Sequence, residues 1–200
     1  MTTLASTLHL LLALTLAPLL MGVINRTKSI FAGRQGPPLA QAYYDLAKLL
    51  RKGAVYSRTT GWTFRAGPVV GLAAAAACLP LLPLGGVGGL LAFPGDLVLL
   101  AYILGLARFL GILAALDTGS AFEGMGASRE AAFSLLSEPA LLLGLAALAA
   151  GTGSMSLSGV FAGLWSAHPA PATPAVVLVA CVLFIVLLAE NARIPVDDPD

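Results

Sequence analysis

Five apolar runs divide the chain, near residues 4–24, 68–84, 97–116, 133–151 and 174–190. Each approaches the roughly 20 residues that a helix needs to cross bilayer hydrocarbon. A backbone inside lipid has to satisfy its own hydrogen bonds, so these runs predict an all-α integral membrane fold, a single membrane domain over residues 1–200. Composition agrees: 58% of the residues are hydrophobic, 10% are charged, and the mean hydropathy is +0.91, as suits a chain dissolved in bilayer. Pro80 and Pro83 shorten the second run and Glu138-Pro139 interrupts the start of the fourth, so those two spans lean on the spacing of their neighbours. No basic residue precedes the first run, and its positive charges, Arg26 and Lys28, follow it. That order argues for a retained helix rather than a signal peptide.

Charge placement orients the spans. Eight of the eleven Lys and Arg residues fall between Asn25 and Gly67, against one acid, Asp45. The positive-inside rule puts this segment in the cytoplasm and the N-terminus outside. Segments 85–95 and 152–173, expected as outer loops, contain no Lys or Arg, whereas 117–132 and 191–200 each contain an arginine. Trp165 and His168 suit an interface belt. His168 and His9 read as solvated residues rather than proton carriers, and Cys78 and Cys181, set in apolar runs, read as small core residues rather than metal ligands or a disulfide.

Between the first two runs, Pro38 to Gly53 carries apolar residues at 39, 42, 43, 46, 49 and 50. These share one helical face, with Asp45, Lys48, Arg51 and Lys52 towards the other, so an amphipathic surface helix is expected near 38–52. A lipid anchor and a docking site for a soluble partner both fit this pattern, and the basic turn Gly33-Arg34-Gln35-Gly36 in front of it suits docking.

Charge inside the spans narrows the function. Arg108 stands twelfth in the run Leu97–Leu116, where an unpaired guanidinium costs several kcal/mol. It lies about 13 Å from the cytoplasmic end at about 1.5 Å per residue, too far for easy snorkelling. Glu138 is the nearest carboxylate by depth, with Asp117 and Glu190 as alternatives, and together these residues suggest a buried polar pathway. The chain then closes on Glu190-Asn191-Ala192-Arg193-Ile194-Pro195-Val196-Asp197-Asp198-Pro199-Asp200. Four carboxylates and an arginine beside a membrane helix are costly to hold, and the prolines stop the helix, so a rigid acidic loop at the membrane surface is expected.

These residues resemble a known family: the quinone-site membrane protein of complex I, known as its subunit 1, and more closely its homologues in formate hydrogenlyase and other energy-converting group 4 nickel–iron hydrogenases. Gly33-Arg34-Gln35-Gly36-Pro37-Pro38, then Gln41, Asp45-Leu46 and Lys48-Leu49-Leu50, is similar to the family's first cytoplasmic loop and its amphipathic helix. Ser57-Arg58-Thr59-Thr60-Gly61-Trp62-Thr63-Phe64-Arg65 and Ala115-Leu116-Asp117-Thr118-Gly119-Ser120 resemble the hydrogenase branch. Gly126-Ala127-Ser128-Arg129, with Glu138 nine residues on, resembles a spacing shared by both branches. Glu190-Asn191-Ala192-Arg193-Ile194-Pro195 with Asp197 and Pro199 resembles the acidic third cytoplasmic loop. Val196-Asp197 and Pro199-Asp200 stand where complex I subunits usually have Phe-Asp and Pro-Glu, which favours the hydrogenase branch and leaves quinone binding open.

The resemblance implies a family fold of about eight membrane helices, of which this chain would be an N-terminal fragment with about five. It implies no redox cofactor on this chain, with the nickel–iron site and iron–sulfur clusters on partners. Those partners would be hydrogenase large and small subunits, a ferredoxin-like iron–sulfur subunit and antiporter-like membrane subunits. Arg108, Asp117, Glu138 and Glu190 would form the proton or ion pathway, Arg193, Asp197 and Asp198 the acidic loop, and Arg34, Gln41, Asp45, Lys48, Arg51, Arg65 and Arg129 the docking surface. The expected setting is the inner membrane. The alternatives are a complex I quinone-site subunit, an independent secondary transporter and a passive anchor. No internal repeat supports a transporter, and Arg108 and Glu138 have no purpose in an anchor. A phosphate loop, metal-spaced His or Cys residues and a nucleophile triad are all absent from the sequence, so catalysis within the chain is not expected. Nothing supports nucleic-acid binding.

Overall fold

Proline, glycine and capping residues decide where the apolar runs begin and end as helices. The computed structural model describes residues 2–83, 87–166 and 173–191, and among these the regular structure is helical. The chain divides into two compact units, Met1–Ser57 and Arg58–Asp200.

The first unit holds α1 (Thr2–Phe31) and α2 (Gln41–Leu49). α1 runs 30 residues, seven past the expected 4–24 boundary, because neither Gly nor Pro interrupts Val23 to Ala32. It stops at Gly33, whose φ of 65° is open to glycine without steric penalty. There the Arg34 N–H bonds to the Ser29 carbonyl at 2.9 Å and the Gly33 N–H to the Ile30 carbonyl at 3.1 Å, a Schellman closure that satisfies the last carbonyls of the helix. The basic turn at 33–36 is therefore first of all a helix stop. α2 is shorter than the expected 38–52: a turn from the Pro38 carbonyl to the Gln41 N–H precedes it and Leu50 ends it. It packs on α1, where the Tyr43 hydroxyl donates to the Thr15 carbonyl. No residue of α2 is buried, and Leu46 and Leu49 of its apolar face remain exposed.

The second unit holds α3 (Trp62–Cys78), a 3-10 turn at Leu79–Leu81, α4 (Asp96–Asp117), α5 (Ala121–Thr152), α6 (Leu157–Ser166) and α7 (Thr173–Glu190). α3 packs on α4, α4 on α5, and α5 on both α6 and α7. The tight 3-10 turn falls at Pro80, which cannot extend the α-helical ladder. α4 and α7 lie within a residue of the expected 97–116 and 174–190. α5 departs most, beginning twelve residues before the expected 133. The segment expected as a loop at 117–132 is reduced to Thr118, Gly119 and Ser120. Glu123, Arg129 and Glu130 lower its hydropathy without opposing helix, and Ser120-Ala121-Phe122-Glu123 has the spacing of a capping box. α6 likewise occupies part of the segment expected as an outer loop at 152–173, because Leu157, Val160 and Leu164 at helical spacing enter the core.

That core gathers Leu81, Leu97, Ala149, Leu157 and Val160, with Leu100, Ile103 and Leu145 packed against it. Leu4–Phe31, Trp62–Leu81, Asp96–Asp117 and Ala121–Thr152 are long and apolar enough to cross a membrane, and Pro174–Glu190 is a shorter apolar helix. The chain is an all-α, multi-pass membrane protein whose helices expose large apolar side chains such as Leu72, Leu135, Leu143 and Leu178 outward.

Lipid tails give helices no hydrophobic reason to associate, so close backbone approach matters. Gly67 of α3 supplies it: a Cβ placed there would lie 2.7 Å from the Ala114 Cβ and 3.3 Å from the Leu110 carbonyl oxygen. Gly67→Val is expected to force α3 and α4 apart at a cost of about 1–3 kcal/mol, read as a lowered Tm of the detergent-solubilised protein, whereas valine at Gly71, which faces open space, leaves Tm nearly unchanged.

Candidate charge-relay site

α4 is apolar throughout its middle except at Arg108, whose side chain is 12% exposed. Every nitrogen of the guanidinium has a carboxylate partner. Nε meets Oε1 of Glu130 at 3.2 Å, Nη1 meets Oε1 of Glu138 at 3.1 Å, and Nη2 pairs with Oε2 of Glu190. α5 supplies two of these acids and α7 the third, at its last residue. Glu190 is further held by Ser137 of α5, whose hydroxyl donates to Oε1 at 2.8 Å. Ser134, one turn earlier, instead turns its hydroxyl back to the Glu130 carbonyl at 2.6 Å.

Arginine stays charged, so burial forces the bundle to bring counter-charge to it. The bundle brings more than balance requires: with all three carboxylates ionised the cluster carries two excess negative charges. Such a group can take up and redistribute protons while keeping its central cation. A cavity of about 490 Å³ reaches the cluster, lined there by Arg108, Glu138 and Glu190 and further along by Leu97, Leu157 and Val160. Its far walls are apolar, so the charged lining is confined to the end at Arg108, Glu138 and Glu190.

Of the expected pathway residues, the fold brings together Arg108, Glu138 and Glu190. Asp117 is elsewhere. From the C-terminus of α4 it accepts the Gly61 N–H at 2.6 Å and the Phe64 N–H at 3.2 Å, capping α3 from outside. A carboxylate is poorly placed at the C-terminus of its own helix, but the unsatisfied amides at the start of α3 offset this. Arg193, Asp197, Asp198 and His168 lie outside the described residues. The expected docking residues divide between the units. Arg34, Gln41, Asp45, Lys48 and Arg51 are in the first, where the Gln41 amide donates to Asp45 at 3.0 Å, while Arg65 and Arg129 are on α3 and α5 of the second.

Three participants escaped the sequence reading. Glu130 precedes Glu138 by eight residues, just over two helical turns, which keeps both near one face, but assigning 117–132 to a loop concealed that relation. Ser137, next to Glu138, carries no signal of its own. Asp96 opens α4 and is fully buried, accepting the Leu157 N–H at 2.6 Å and the Ser156 hydroxyl at 2.9 Å, so it caps α6 from another helix. Among the described residues no group of three or more His, Cys, Asp or Glu stands in metal-holding geometry.

The family described as NADH dehydrogenase matches residues 4–200. The chain belongs to that family. Two proteins of Escherichia coli (strain K12) are similar to it: "Formate hydrogenlyase subunit 4" is 35% identical over 187 residues, 94% of this chain and 61% of the relative. "Hydrogenase-4 component C" is 35% identical over 184 residues, 92% of this chain and 58% of the relative. The chain thus spans about three fifths of the length of these relatives. Among solved structures, a chain of the membrane-bound sulfane sulfur reductase, an archaeal respiratory membrane complex, superposes with a TM-score of 0.75 at 25% identity, over 94% of this chain and 62% of that one. All four charged members of the Arg108 cluster fall inside the stretch matched by the NADH dehydrogenase family.

Arg108→Leu would leave three carboxylates without their shared cation. The expected loss is about 3–5 kcal/mol of stability, measured as a lower Tm in detergent, while Arg108→Lys, which keeps the charge but not the three-way fork, is expected to fall between.

Proposed function

We propose that the chain is a membrane-arm subunit of an energy-converting hydrogenase or formate hydrogenlyase-like complex, anchoring the peripheral redox arm and coupling electron transfer to proton or sodium translocation. The observation that carries this reading is the guanidinium shared by three carboxylates from two other helices at the end of an apolar cavity. A passive anchor has no need of such a cluster, which is expensive to assemble in a membrane protein. The similarity to a formate hydrogenlyase subunit and a hydrogenase-4 component supports the kind of complex.

In this reading the chain carries no redox group. The nickel–iron site and iron–sulfur clusters belong to hydrogenase large and small subunits and a ferredoxin-like subunit, and antiporter-like subunits lie alongside in the membrane. The positive-inside rule puts the basic 25–67 segment in the cytoplasm and the N-terminus outside, in the inner membrane. Arg34, Gln41, Asp45, Lys48, Arg51, Arg65 and Arg129 are the proposed contacts to the peripheral arm. Electron arrival there changes the protonation of the acidic loop at Asp197 and Asp198. Glu190, adjoining that loop in sequence and bound to Arg108, passes the change to Glu138 and Glu130. Coulomb coupling among charges a few Å apart away from bulk water is strong enough to carry it.

Glu138→Gln in the native complex tests the reading. Hydrogen evolution is expected to persist while the ions moved per hydrogen formed fall, measured with the complex reconstituted in vesicles; pumping at wild-type stoichiometry overturns the relay. Affinity purification from native membranes with mass spectrometry checks the partners. Nickel–iron hydrogenase subunits support the proposal, and NADH dehydrogenase subunits move it to a complex I-type enzyme, in line with the family's description.

A further inference from the structure

The three acids around Arg108 are not equivalent. Glu190 uses both carboxylate oxygens, Oε1 accepting from the Ser137 hydroxyl and Oε2 facing the guanidinium. Glu130 and Glu138 each meet Arg108 through Oε1 alone, and among the described residues their second oxygens have no partner. Exposure follows the same division: the Glu190 side chain is 25% exposed, against 47% and 46% for Glu130 and Glu138. An ionised carboxylate only accepts hydrogen bonds, whereas a protonated one must also donate. Glu190 faces a donor at each oxygen, which suits the ionised form. Glu130 and Glu138 each keep one oxygen that meets no donor among the described residues, where a proton can be held.

We propose that Ser137 is a positioning residue that fixes Glu190 as the constant ionised partner of Arg108, so that the exchangeable proton of the cluster resides on Glu130 and Glu138. The inference rests on the relay reading above and assigns its parts. Ser137 is 7% exposed, and it spends its hydroxyl across the α5–α7 interface rather than on its own helix, as Ser134 does. A hydrogen bond to a charged group is stronger than one between neutral groups, so this single contact favours ionised Glu190 over its neighbours. The charged groups involved are Arg108 from α4, Glu130 and Glu138 from α5 and Glu190 from α7; α6 contributes no titratable side chain.

The test is carbon-13 NMR of glutamate side-chain carboxyls in the intact complex in bilayers, each resonance assigned by its Glu→Gln replacement and followed across the near-neutral pH range. The expected result is a Glu190 resonance that stays at the carboxylate position while that of Glu130 or Glu138 moves. Ser137→Ala is expected to bring the Glu190 resonance into motion over the same range, and Ser137→Thr, which keeps the hydroxyl, to hold it still. A Glu190 resonance that titrates in the wild type, or that Ser137→Ala leaves fixed, overturns the assignment. Because this readout needs no turnover, it is separable from the relay itself. Loss of ion coupling in Glu138→Gln with a titrating Glu190 removes only the assignment, whereas a fixed Glu190 with unchanged coupling in Glu138→Gln removes only the relay.

Discussion

A guanidinium that cannot shed its charge, set into the middle of an apolar helix, is the constraint around which the second unit is arranged. Desolvating Arg108 is tolerable only if neighbouring helices deliver counter-charge at hydrogen-bonding distance. α5 and α7 do so with Glu130, Glu138 and Glu190. The cluster therefore ties three helices together at one level of the bundle, which matters where lipid gives helices little hydrophobic reason to associate. Its surplus of acid over base is more than burial of one cation requires, since a one-to-one pair would have met that cost with less repulsion.

The two ends of α4 show the contrast. Asp96 accepts the first amide of α6 and the Ser156 hydroxyl, and Asp117 accepts two amides at the start of α3. Both acids are committed to the N-termini of other helices, where backbone dipoles favour a negative charge. They hold the neighbours of α4 in register, leaving Arg108 between them as the point where charge is shared rather than fixed. The apolar cavity walls beyond the cluster separate it from the Asp96 end, which leaves the charged lining of the cavity at the level where α7 ends.

Much of this was legible in the sequence. Run length and hydropathy predicted a multi-pass helical membrane protein, and the isolation of Arg108 in its span demanded a partner that depth alone identified as Glu138. The amphipathic pattern at 38–52 located α2, though not its true length. What failed did so for identifiable reasons. Hydropathy windows follow apolarity rather than helix, so the charged first turns of α5 passed for a loop and Glu130 was lost with them. α6 is too short to span and lies in a Gly- and Ser-rich stretch, so only its packing on Leu81 and Leu97 reveals it. Asp117 was a reasonable candidate partner for Arg108 until the start of α3 proved to be its neighbour.

By itself the sequence determined the class of solvent this chain folds in, its all-helical class and the presence of a buried cation needing acid, because composition and local periodicity carry that information directly. Only the tertiary structure decided which acids meet that cation. Glu130, Glu138 and Glu190 are separated by up to 60 residues, and Ser137 acts across a helix interface, so their relation exists only once α4, α5 and α7 pack. Sequence spacing fixes which residues share a helical face; the packing of one helix on another fixes which faces share a charge.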